Sequence, residues 1–145
     1  MPNKIPPPVI FLLCLVLMYA LPSCGTLPSL SGLAIGIGLV GTVIALLSVK
    51  QFIHAKTTIL PHHFSGTTQL VTTGVFRLSR NPMYLSLVLW LVAFALWLGN
   101  PLAWAVLPLF IGALNRFQIQ PEEHFLHAKF GDTYAQYCQR VRRWI

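Results

Sequence analysis

The sequence predicts an all-α integral membrane protein of about four transmembrane helices, and three observations carry that reading. Hydrophobic residues make up 55% of the chain and charged residues 9%, against about 25% charge in a soluble domain. The apolar residues fall into four runs separated by proline, glycine or polar stretches. All charged residues lie near the N-terminus, in the central loop, in the tail or at their membrane edges. A crossing uses about 20 residues, so 145 residues are read as one domain, 1–145, with four or at most five spans.

The first run, 8–22, follows Lys4 and the prolines Pro6 to Pro8 and is short for a span. Its end, Leu21-Pro22-Ser23-Cys24, also has the form of a lipoprotein cleavage site with Cys24 as the lipidated residue. The proline before the small residue and the absence of a following polar domain favour a first transmembrane helix. The second run, 30–49, carries Gly32 and Gly36 four residues apart, a spacing that lets helix backbones approach closely in lipid, although glycine is frequent in membrane helices anyway.

Residues 50–81 are polar, rich in threonine and broken by Pro61 and Gly74, and they read as a loop in which 70–76 is apolar enough to fold back on the bundle. The third span, 82–98, starts with Asn81 as N-cap and Pro82 at the first helical position. After Gly99-Asn100-Pro101 the fourth span, 102–119, returns, with Pro108 expected to kink it. The tail, 120–145, begins with Pro121, Glu122 and Glu123, acids suited to a helix N-terminus. That helix is expected to end at Gly131, and in the next one Tyr134, Tyr137, Cys138 and Val141 share a face.

Charge sets the orientation. Four spans put the N-terminus, the loop and the tail on one side, and the positive-inside rule makes that side cytoplasmic for both termini. The formal charge of +7 is spread along loop edges with no interleaved aromatics, which argues against a nucleic-acid partner. Cys14, Cys24 and Cys138 give neither a disulfide framework nor a metal knuckle. His62 and His63 are adjacent, and His124 with His127 lacks the glutamate three residues before a histidine that a di-iron bundle uses, so no metal is expected.

Two clusters remain, Arg80-Asn81-Pro82-Met83-Tyr84 and Glu122-Glu123, the latter holding two of the three carboxylates. Each has a structural reading as a helix start with an interfacial arginine or tyrosine. Together they lie on the same predicted surface, brought close by one apolar hairpin.

These residues, with Leu70-Val71-Thr72-Thr73-Gly74-Val75-Phe76-Arg77 before them and Leu126, Phe130-Gly131, Tyr134, Tyr137 and Val141 after, resemble the isoprenylcysteine carboxyl methyltransferase and phospholipid methyltransferase superfamily. The resemblance runs from about Thr57 to Arg143. It implies a membrane enzyme that binds S-adenosylmethionine in a pocket closed by the cytosolic loop and the C-terminal helices, and a lipophilic or prenylated acceptor drawn from the bilayer. Carried over by residue, it places cofactor contacts on Thr68, Gln69, Leu70 and Val71, on Phe76, on Arg80, Asn81, Pro82, Met83 and Tyr84, and on Glu122 with Glu123 as the alternative carboxylate.

The chain departs from the family pattern at Asn81, where a histidine is usual, at Ser86, where a glycine is usual, and at Arg142-Arg143 in place of Pro-Arg. Eukaryotic prenylcysteine enzymes have an arginine near the substrate carboxylate at the position of Gln118, which leaves Arg116 and Gln118 as the candidate substrate residues. Two other classes stand beside the methyltransferase: a non-enzymatic membrane interaction protein whose clusters only cap helices, and a membrane reductase using a nicotinamide cofactor.

Overall fold

The computed structural model describes residues 5–23, 25–55 and 69–145, and among these residues every regular element is a helix. Helix α1 runs Pro7–Ala20, α2 Ser31–His54, α3 Pro82–Leu98, α4 Val106–Leu114 and α5 Gln120–Arg140. Hydrogen bonds fix how they alternate. Asn100 donates its amide to the Leu21 carbonyl at 3.2 Å and the Leu27 N–H donates to the Gly99 carbonyl at 2.7 Å, joining the uncharged connections at one end. At the other end Gln118 donates to the Ile5 carbonyl at 2.6 Å.

Helix α1 starts with Pro7 in its first turn and stops before Pro22, because the residue preceding a proline is steered out of the helical region. Its 14 residues rise only about 21 Å against a hydrocarbon core of about 30 Å. Helix α2 reaches past the expected end at residue 49 to His54, taking Lys50 and Gln51 from the expected loop. A helix needs apolar side chains only where it meets lipid or core, so hydropathy marks where the apolar face ends and not where the backbone unwinds. Helix α3 matches the expected 82–98, opened by Pro82 and closed by Gly99 in the left-handed region at φ 62°. A Cβ on Gly99 would lie 2.6 Å from the Leu27 carbonyl oxygen, so the chain requires glycine there on two counts.

The expected fourth span is less regular than its hydropathy suggests. Residues Pro101–Ala105 form a 3₁₀ helix, α4 follows, and Asn115–Ile119 form a π-helical turn that runs directly into α5. Pro108 falls in the first turn of α4, where a missing N–H costs little, and the irregular turns lie on either side of it. The tail therefore has no free helix start at Gln120, and Glu122 and Glu123 sit inside a continuous helical path. The break expected at Gly131 is present in its φ of 48° and ψ of −123°.

Helices α2 and α3 approach closely, though not at the glycines expected to permit it. Gly32 and Gly36 have open space where a Cβ would stand. Gly41 is the contact: a Cβ there would lie 3.2 Å from Leu89, from the Ser86 carbonyl and from Trp90. The main core gathers Met18, Leu91, Ala95, Val106, Phe110 and Leu114, with Phe11 meeting Phe110 edge to face at 6.3 Å. Outside it Leu12, Leu13, Val16, Leu39, Val43, Leu46 and Leu109 remain exposed, an apolar belt that water would not tolerate but lipid would. Two helical stretches, Ser31–His54 and Pro101–Arg140, are long and apolar enough to cross a membrane.

Candidate functional site

Three walls meet at the charged end of the bundle. The first is the entry to α3. Asn81 does not cap this helix; its side chain donates instead to the Arg143 carbonyl at 3.0 Å. Ser79, almost fully buried, receives the Asn81 N–H at 3.1 Å and donates to the same Arg143 carbonyl at 3.3 Å. The Arg80 N–H donates to the Arg142 carbonyl at 3.0 Å. The backbone N–H groups of this turn are thus satisfied by the Arg142 carbonyl and the Ser79 hydroxyl, while the side chains of Ser79 and Asn81 bind the C-terminal segment.

The second wall is the segment from Gln69 through the 3₁₀ helix Gly74–Arg77. Gly74 takes φ 60° and rests against the amide of Gln51, which also accepts from the Thr73 hydroxyl at 2.9 Å. Phe76 is buried edge-on to Phe52 with ring centres 5.3 Å apart. Its carbonyl accepts the Tyr137 hydroxyl at 2.6 Å, which ties this wall to the tail.

The third wall is α5. The Tyr84 hydroxyl donates to Glu122 at 3.2 Å. Arg143 forks onto Glu123 at 3.1 and 2.6 Å, and Arg80 stands 3.3 Å from the same carboxylate. This hydrogen-bonded pairing holds the Arg143 guanidinium above its ordinary pKa. The other end of the Arg80 guanidinium donates to the Cys138 sulfur. Tyr134, Tyr137 and Val141 form a small buried cluster with Leu70, Leu126, Phe130 and Cys138 packed on it, the shared face expected from their spacing.

Between the walls lies a mainly apolar cavity of about 420 Å³, within the range of small-molecule sites. Gln69, Leu70, Val71, Phe76, Arg80, Asn81, Pro82, Met83, Tyr84, Glu122 and Glu123 all border it. Thr68 lies outside the described residues. The two candidate substrate residues are not brought to it: Arg116 is exposed, and buried Gln118 is committed to the Ile5 carbonyl.

Sequence reasoning missed the walls given by α1 and α2, namely Pro6, Pro7 and Pro8 with Ala45, Val49 and Phe52. The last three are spaced i, i+4, i+7, a helical signal that continues across Lys50, where the change in polarity suggested a loop. A second, polar recess of about 490 Å³ is bordered by Arg80, Glu123, His124, His127, Cys138 and Arg143 among others. No group of three or more His, Cys, Asp or Glu side chains among the described residues could hold a metal ion.

Among the described residues, an apolar helical bundle thus carries at its charged end a mainly apolar cavity bordered by aromatic rings and two adjacent carboxylates. The chain belongs to the phospholipid methyltransferase family, whose model matches residues 31–133, within the superfamily that includes the isoprenylcysteine carboxyl methyltransferases. An uncharacterized protein of Haemophilus influenzae is 57% identical over 63 residues, 43% of this chain and 100% of that protein. A probable protein-S-isoprenylcysteine O-methyltransferase of Oryza sativa subsp. indica is 33% identical over 103 residues, 71% of this chain and 54% of the rice protein. The protein-S-isoprenylcysteine O-methyltransferase of Mus musculus is 34% identical over 77 residues, 53% of this chain and 27% of the mouse protein. The chain thus spans about half or less of these two named methyltransferases.

Proposed function

We infer that this protein is an S-adenosylmethionine-dependent methyltransferase acting on a lipophilic or prenylated acceptor at the cytoplasmic surface of a membrane. The observation that supports this best is the cavity itself. It draws together Gln69 to Val71 with Phe76, Arg80 to Tyr84, and Glu122 with Glu123, residues on which the family resemblance places the cofactor.

The residues present fit the cofactor chemically. When bound, S-adenosylmethionine supplies an electrophilic methyl group on a sulfonium cation. Glu122 offers a carboxylate to amino or hydroxyl groups, and Tyr84 holds that carboxylate in place. The rings of Phe76, Tyr84 and Tyr134 at the cavity suit a cation by their negative faces. The apolar lining excludes water, and holding two reactants in line lowers the barrier without a protein nucleophile. On the acceptor side the cavity continues to prolines of α1 and to Ala45, Val49 and Leu87, a surface for hydrocarbon. Gln118 and Arg116, the positions on which the resemblance places the acceptor's carboxylate contact, are directed elsewhere.

We place α1, α2, α3 and the stretch 101–119 as four spans with both termini cytoplasmic. The described charged side chains gather at the end of the bundle that holds the cavity, and none lies in residues 21–23, 25–30 or 97–105. The rival reading as a membrane interaction protein required both clusters to be helix caps. The Asn81 side chain makes no cap, and the first turn of α5 that holds Glu122 and Glu123 follows directly on a π turn, which favours the enzyme reading over that one.

Calorimetric titration of the detergent-solubilised protein with S-adenosylhomocysteine and with NADPH tests the choice. Saturable binding of S-adenosylhomocysteine alone is the expected result. Binding of NADPH alone would favour the reductase, and no response to either would sink the enzyme reading.

A further inference from the structure

We propose that Arg143 is a positioning residue for the cofactor site: it fixes Glu123 as a structural anion and latches the C-terminal segment over 79–81, so that Glu122 is the carboxylate presented to the cavity. This rests on the methyltransferase reading. The two glutamates are neighbours on one helix and both border the cavity, yet their partners divide them. Both oxygens of Glu123 are engaged by Arg143, and Arg80 shares one of them. Glu122 receives the phenol of Tyr84, a cavity residue.

The fork acts on backbone as well as on charge. The carbonyls of Arg142 and Arg143 accept from the Arg80 N–H, the Ser79 hydroxyl and the Asn81 amide. These are the residues that open α3 and place Tyr84 one turn later. Arg143 is therefore held to α5 by its side chain and to the α3 entry by its backbone, and it sets the distance between the Tyr84 and Glu122 elements. A lysine keeps the charge but cannot fork onto a carboxylate, so the geometry requires arginine.

The test pairs S-adenosylhomocysteine affinity with hydrogen exchange at the Arg80 amide, read in full-length protein in detergent. Arg143→Ala is expected to weaken affinity about tenfold or more and to speed exchange at Arg80, with Arg143→Lys restoring only part of both. Glu123→Gln should reproduce the effects of Arg143→Ala and add the loss of the Arg80 pairing, and the double variant should be no worse than Glu123→Gln alone, since Arg143 acts through that carboxylate. Glu122→Gln should weaken affinity without changing Arg80 exchange, and exposed Arg140→Ala should change neither. Faster exchange with unchanged affinity in Arg143→Ala would overturn the positioning role, as would weakened affinity with unchanged exchange. If the wild-type protein binds no S-adenosylhomocysteine the methyltransferase reading fails first, and faster Arg80 exchange in Arg143→Ala would still report the latch separately.

Discussion

The hydroxyl of Tyr84 donates to the carboxylate of Glu122 at 3.2 Å across 38 positions of sequence, joining the start of α3 to the middle of a continuous helical path. Neither residue needs the other to form its own helix. Their pairing is a property of the cavity they border.

On this geometry Glu122→Gln is expected to weaken S-adenosylhomocysteine binding by about 1.5–3 kcal/mol, ten- to a hundredfold, as loss of a charge-assisted hydrogen bond does. Calorimetry on the variant checks it. An affinity equal to wild type would mean that the wrong carboxylate has been assigned.

Glu123→Gln should instead show first as lost stability, about 1–3 kcal/mol, because it strips charge from a carboxylate serving two guanidinium groups in a mostly buried setting. Thermal unfolding in detergent, compared with Glu122→Gln, separates the two. Equal melting temperatures for the two variants would contradict the division of roles.

Tyr137→Phe leaves the Phe76 carbonyl without its 2.6 Å donor inside a buried cluster. The expected cost is about 1–3 kcal/mol, and the segment bearing Phe76 should become more open to protease. An unchanged digestion pattern would show that Phe52 and Gln51 suffice to hold it.

Much of the bundle could be read from hydropathy, because lipid-facing residues must be apolar wherever the backbone crosses. The helix 82–98 was legible to the residue since proline opens it and glycine closes it. The end of α2 was not, because helices continue into water without signalling it. The close approach of α2 and α3 was misplaced for a different reason: Gly32, Gly36 and Gly41 are alike in sequence, and only the rotation of the helix decides which one faces Ser86. At the site, residue types were legible and partners were not. Asn81 reads as a cap until the C-terminal segment is seen to occupy its amide.

Gly41 offers a packing test. Gly41→Leu should destabilise the α2–α3 contact by about 1–3 kcal/mol through overpacking. Gly36→Ala, facing open space, should be neutral or stabilising by up to about 1 kcal/mol. Unfolding of both variants in detergent decides it, and the reverse order would refute the helix rotation.

Topology is tested at the uncharged end. A cysteine placed at exposed Thr26, in a background with Cys14, Cys24 and Cys138 replaced by serine, should react with an impermeant maleimide from the side opposite a C-terminal cysteine. Labelling from the same side would refute four spans.

The π turn at Asn115–Ile119 works as a register shim. One residue more or fewer in an otherwise regular helix swings everything beyond it by about 100°. Reading frame along the helix, and not only residue identity, therefore decides whether Glu122 faces Tyr84 or lipid. Two chains sharing both clusters but differing by a single residue between Leu114 and Gln120 would look alike position by position and yet present different carboxylates. Single-residue gaps in this stretch thus change which side chains meet across the bundle, whereas gaps at surface loops are ordinarily silent.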